Sequence, residues 1–331
     1  MKITTKPSYN FDLLCLLNPM TGDEFYLGDN GYSHKAEYDK FFPHLSSDIK
    51  QGIANMAKER ERTMLWPWVT LLISTLGDFD KKDLCEMLAD YEGIKYGLIN
   101  SPYWDDNEEE LKMHFRHFRE VVVPFVKEME ALGFEQYWRK EKLPLLENRC
   151  AELNEFLSKY DISDEVAKLI PLDGGDVTMF VCAFARPHGA KLCGYNMISD
   201  FKWSNEDILG TVTHELFHPP YNIDVVRDAV DKLGAIPWVI DAYENQVKGH
   251  EYRPMDGFIE ENIVEALGVF VLKKMLPDYD AYKYFKEHDY GSHVISPHFF
   301  DYLQANQKNA EQSMEDYFIN FVRSIADGLE D

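Results

Sequence analysis

The chain has 331 residues, enough for about two domains, and 45% apolar with 14% aromatic residues supplies a substantial core. With 34 Lys and Arg against 58 Asp and Glu, the formal charge is -24, and a surface this acidic repels phosphate backbones and anionic lipid, so neither nucleic acid nor membrane is expected as a partner. The start lacks the apolar core of a signal peptide, the longest apolar tract (64–76) is too short to span a bilayer and carries Pro67, and five widely spaced cysteines form no C-x-x-C pair, so a cytoplasmic protein with reduced thiols is expected.

In chain order, residues 13–17 and 25–27 read as short strands separated by the turn-forming Asn18-Pro19-Met20-Thr21-Gly22. Helical patterns follow at 47–62, 81–91, 107–132 and 136–160, with Pro124 marking a kink in the third. The acidic run 105–110 reads as a helix start with a solvated face, and His114, His117 and His188 read as surface residues. From about residue 165 the pattern changes. Residues 176–184 and 191–198 read as two strands joined by the turn Arg186-Pro187-His188-Gly189, an antiparallel hairpin whose second strand would be an edge able to hold an extended peptide.

The next helix carries the chemistry. Ser204-Asn205-Glu206-Asp207 has the form of a capping box, and Ile208, Leu209, Val212 and Leu216 then recur at spacings of three and four. Within this pattern lies His214-Glu215-Leu216-Phe217-His218, and Pro219-Pro220 stops the helix directly after it. At about 3.6 residues per turn the two histidines share a face and can grip one metal ion. Glu215 flanks that ion and is placed to take a proton from an activated water without being a ligand. A catalytic zinc takes three protein ligands, so a third must come from elsewhere. Residues 257–276 read as an apolar helix on which Glu261 and Glu265 share a stripe, with Gly268 near it to admit another helix. Buried carboxylates on such a helix need a partner, and a metal ion supplies one. Glu260 is the rival to Glu261, which is favoured because it shares the stripe of Glu265.

Over about residues 176–276 these motifs resemble the gluzincin branch of HExxH metallopeptidases. The resemblance implies that Glu261 is the third zinc ligand and that Glu265 supports a ligand histidine through its far ring nitrogen. It also implies an oxyanion donor from beyond the third ligand. His293 and His298, in the histidine-rich segment 289–298, are preferred to His250, Tyr252, Arg253 and Tyr290. The metzincin continuation is absent, since Tyr221, Asn222 and Ile223 follow the prolines.

The expectation is therefore a mainly helical α+β protein with a helical region over 1–165 that covers or regulates a cleft, and a zincin-like domain with a small antiparallel sheet over 166–331. Zn²⁺ held by His214, His218 and Glu261, with Glu215 as general base, would hydrolyse peptide bonds in a peptide or small protein substrate. The alternative is a catalytically silent zinc-containing binding or regulatory protein on the same scaffold.

Overall fold

The structure, a computed structural model, describes all residues except 29–32, 61–63, 78, 80–82, 102–105, 173, 248–251 and 328–331. It is mainly helical with one small mixed sheet, and it forms two compact units. A sheet-bearing unit comprises Lys2–Leu157 and Asp176–Ser204; the other comprises Met1, Ser158–Gly175 and Asn205–Asp331. The units thus do not follow a boundary at 165/166. Backbone pairing explains why: the strand segment after residue 176 hydrogen-bonds to the N-terminal strand and is tied to that unit.

The sheet has strands β1 (Ile3–Lys6), β2 (Val177–Cys182), β3 (Ala190–Lys191) and β4 (Asn196–Asp200) in the order β1-β2-β4-β3. β2 lies parallel to both neighbours, with Ile3 opposite Val177 and Met179 opposite Met197, so the expected antiparallel hairpin of 176–184 with 191–198 is corrected. Its second strand is interrupted. Gly194 takes φ +67, which folds 190–200 into its own β3–β4 hairpin and sends β4 back parallel to β2. β4 is consequently interior, and the sheet edges among the described residues are β1 and β3.

Residues 13–17 and 25–27 belong to helices, Tyr9–Cys15 with its following turn and Glu24–Leu27. Ser8 caps the first, accepting from Phe11 N, and its apolar residues are buried on every side, which erases the helical period and leaves a run that reads as a buried strand. The long expected helices each contain a wide turn. Phe118–Val122 and Trp138–Lys142 are π-helical, and each lies two residues before a proline, Pro124 or Pro144, whose missing N–H frees a carbonyl that the wider turn accommodates. His114 and His117 are buried, not at the surface. Arg60 Nη1 lies 2.9 Å from His114 Nδ1, and His117 Nε2 lies 2.9 Å from Glu59. His188 is half-buried, with Nε2 3.1 Å from the Tyr26 hydroxyl.

Asp12 joins three parts of this unit. Fully buried, it accepts from Ala183 N at 2.6 Å and Phe184 N at 3.1 Å just after β2, and from Trp138 Nε1 at 2.7 Å.

The second unit is helical throughout its described strand-and-helix elements: Ile162–Ala167, Asn205–Glu215, Ile223–Gly234, Pro237–Glu244, Met255–Met275, Ala281–Glu287, Ser296–Ala305 and Met314–Asp327. Its axis is Met255–Met275, buried on nearly every side from Phe258 to Leu272. Each large apolar side chain withdrawn from water there contributes about 1.5–3 kcal/mol. Among the described residues no helix is long and apolar enough to cross a membrane.

Burial pushes the Asp12 carboxyl up from 3.8 to about 7, against the hydrogen bonds from Trp138, Ala183 and Phe184. The fold therefore holds a proton that the unfolded chain releases, so this contribution to stability is complete below about pH 4 and is lost as pH rises through 7. Asp12→Asn keeps an acceptor for Ala183 and Phe184 but does not titrate. Urea midpoints measured from pH 4 to 8 should fall less steeply for Asp12→Asn than for wild type; parallel slopes would contradict the assignment.

Candidate metal centre

Two helices build the site, the motif helix Asn205–Glu215 and the carboxylate helix Met255–Met275. The motif helix ends at Glu215 rather than at His218. Prolines at 219 and 220 have no N–H to offer the carbonyls of Glu215 and Leu216, and Leu216 and Phe217 close the helix through bonds to Val212 O and His214 O. His218 thus projects from the turn just after the helix.

The carboxylate helix runs antiparallel to the motif. Passing from His214 to His218, the facing residues are Gly268, then Glu265, then Glu261 and Glu260. Four residues advance the carboxylate helix by about 6 Å, which carries its side chains from His214 toward His218. Gly268 sets the separation. A Cβ there would lie 3.1 Å from His214 Cα and 3.2 Å from its N, both backbone atoms of the motif helix. With hydrogen alone at that position, the side chains one and two turns earlier reach the histidines.

His214 Nδ1–H donates to Glu265 at 2.8 Å, and His218 Nδ1–H donates to Glu260 at 3.1 Å. Each ring is thereby fixed in orientation, with Nε2 turned to the other side. The two Nε2 atoms lie 3.1 Å apart, and the Glu261 carboxylate stands 3.6 Å from His214 Nε2 and 3.8 Å from His218 Nε2. Ligands at zinc distances in a tetrahedron are separated by about 3.3 Å, so these three groups fit one such ion with small adjustments. His214, His218 and Glu261 therefore form a group that could hold a metal ion.

Electrostatics favour a cation. Burial works to lower the His214 pKa, but the bonded Glu265, with Glu215 and Glu261 nearby, outweighs it and raises the pKa to about 10. The same carboxylates that raise it favour a bound cation, which would compete with the second proton on this histidine. Burial raises the Glu261 carboxyl, opposed by His218 and His214 and reinforced by Glu215. For Glu265 burial again acts upward, yet its bond to His214 and the nearby His288 and His293 hold it well below the usual carboxylate range. Glu215 is buried, and its charge reaches both His214 and Glu261.

Of the other expected residues, His293 lies near the centre, where its charge reaches Glu261. His293 is buried, with a ring nitrogen within 4.8 Å of a Glu265 oxygen and of a His288 nitrogen. His298 is exposed, its ring 5.2 Å from that of Trp238, and it does not join the converging groups. Tyr252 lies with its ring 5.8 Å from His293, Arg253 covers the Tyr243 ring, Tyr290 is exposed, and His250 is outside the described residues. The role of Glu260 was missed. A second ring nitrogen needing an acceptor was the available signal, since both histidines require one and Glu265 can serve only the nearer.

Gly268→Ala should force the two helices apart, lowering metal affinity at least tenfold and stability by about 1–3 kcal/mol. Gly210→Ala on the motif helix is the control, because its Cβ would meet only Leu272 Cδ2 at an ordinary 3.6 Å. Chelator competition and melting temperatures compare them, and equal behaviour would contradict the close-approach account. Separately, Glu260→Gln and Glu265→Gln should each weaken metal binding by roughly ten- to a hundredfold, whereas Glu261→Ala should abolish it at the same site. Retention of full affinity by Glu260→Gln would show that its bond to His218 is dispensable.

No protein-family model, no curated protein and no solved structure matches this chain.

Proposed function

We propose that this protein is a zinc-dependent hydrolase of peptide or related amide bonds. The observation that carries the reading is the pair of Nδ1–H bonds to Glu265 and Glu260, which turn two Nε2 atoms, 3.1 Å apart, toward the Glu261 carboxylate. Two imidazoles and one carboxylate are a donor set for zinc, and three protein ligands leave a position for substrate or water. Resemblance of His214-Glu215-Leu216-Phe217-His218, Glu261 and Glu265 to the gluzincin pattern supports the same reading.

A divalent ion held by His214, His218 and Glu261 would supply Lewis acidity toward an amide carbonyl and a water. The chain's residues do the rest. Glu215, beside the ligands, accepts a proton from the attacking water as its oxygen bonds to the carbonyl carbon, then gives that proton to the nitrogen as the C–N bond breaks. Glu265 and Glu260 keep both imidazoles oriented. The acidic surface favours peptides bearing basic residues. All five cysteines are free, which suits a cytoplasmic setting.

Glu215→Gln separates this enzyme from a silent zinc-containing binding protein. The amide keeps the shape of the carboxylate but cannot take the proton, so zinc content should stay near wild type while peptide hydrolysis falls by about a hundred- to ten-thousandfold. Elemental analysis and mass spectrometry of an unstructured basic peptide library read the two quantities. Cleavage at equal rates by wild type and Glu215→Gln would refute the mechanism.

A further inference from the structure

Glu265 belongs to a second convergence of ligand groups. Glu265, His288 and His293 each offer one ligand atom, and these atoms all lie within 4.8 Å of one another. Glu265 is 4% and His293 1% exposed, and His288 is half-buried.

The surrounding chain holds these groups from separate directions. The His288 ring stacks on Tyr284 with centroids 4.6 Å apart and faces His293 at 5.4 Å and 25°. Between the two histidines Gly291 adopts φ +76, where a Cβ would stand 3.0 Å from Lys286 O. That backbone conformation, open to glycine, folds the segment so that two imidazoles five residues apart meet. Beyond His293, Ile295 N donates to Asn262 Oδ1 at 2.9 Å and Ser296 Oγ donates to Asn262 O at 2.7 Å. Asn262 is fully buried on the carboxylate helix, so the loop is pinned within a turn of Glu265.

Two imidazoles and a carboxylate repeat the donor chemistry of the first site, a set that takes zinc and its borderline neighbours rather than calcium or magnesium. A carboxylate has two oxygens and about four acceptor positions, so accepting from His214 does not exhaust Glu265. We propose that Glu265, His288 and His293 form a second site for a divalent cation of the zinc class, coupled to the first through Glu265. The coupling part rests on the reading of His214, His218 and Glu261 as the first metal site.

Its sign follows from charge. A cation on Glu265 draws electron density from the acceptor of the His214 Nδ1–H bond, making that imidazole a weaker donor to the first ion. Linkage is reciprocal, so the two ions oppose one another. The second site is thus a regulatory one, filled when zinc is in excess and loosening the first.

The test is stoichiometry and affinity on the full chain, stripped of metal and titrated with Zn²⁺ against a chromophoric chelator. Wild type should bind two equivalents, the second at least tenfold more weakly, and filling it should lower first-site affinity roughly fivefold or more. His288→Ala, at a half-buried position, and the double variant His288→Gln with His293→Gln should bind one equivalent and lose the antagonism. Glu261→Ala should lose the tight equivalent and keep the weak one. Melting curves confirm folding of each variant, and His288→Ala alone suffices if the buried His293 does not tolerate change. A single equivalent in wild type that Glu261→Ala abolishes would overturn the second site and leave the first standing. A single equivalent lost in His288→Ala but kept in Glu261→Ala would overturn the first site and, with it, the coupling. Two equivalents retained by the double variant would also overturn the assignment.

Discussion

The antiparallel contact between the motif helix and the carboxylate helix is the constraint on which the site depends. Gly268 against the backbone of His214 brings the axes close enough for glutamates one and two turns away to reach both ring nitrogens of each imidazole. Helical rise then does the positioning. Along the carboxylate helix Glu265 meets His214, Glu260 meets His218 in the turn beyond the motif helix, and Glu261 faces the two remaining nitrogens. A shift of one turn along either helix would break the pairing of His214 with Glu265 and of His218 with Glu260.

Charge gives the same contact its chemical meaning. Four glutamates, Glu215, Glu260, Glu261 and Glu265, gather around two imidazoles, and burial penalises every carboxylate whose charge is not balanced. Protonating His214 relieves part of the excess, which is why its pKa rises against the pull of burial. A divalent cation would relieve more, and His288 and His293 near Glu265 add to the balance. In the sheet-bearing unit the solution is different. Burial raises the Asp12 pKa although three hydrogen-bond donors oppose it, and Asp200 adds to the rise.

Much of the site was legible because helical spacing is short-range. The pair His214 and His218, the flanking Glu215 and the stripe of Glu261 and Glu265 follow from positions four apart on segments whose apolar pattern already says helix. The prolines at 219 and 220 likewise announce an end, although the loss of their N–H groups ends the regular helix at Glu215, earlier than expected. Glu260 was set aside on stripe membership alone. Its bond to His218 depends on where the partner helix lies in register, which spacing along one chain does not contain. His298 is close to His293 in sequence, but it lies in the helix starting at Ser296, exposed and with its ring beside that of Trp238.

By itself, the sequence determined the helical character of most of the chain, the acidic surface, the motif and the candidate carboxylates, because these rest on composition and on contacts within a few residues. Tertiary structure alone decided which strands pair. A buried helix at Tyr9–Cys15 and a buried strand show the same unbroken apolar run, and Gly194 splits an expected strand only because β4 finds its partner in β2. It also decided that Glu265 meets His214 and lies close to His288 and His293. Those three histidines are scattered along the chain and meet only where helix packing and a glycine turn bring distant segments together, and no local pattern encodes that meeting.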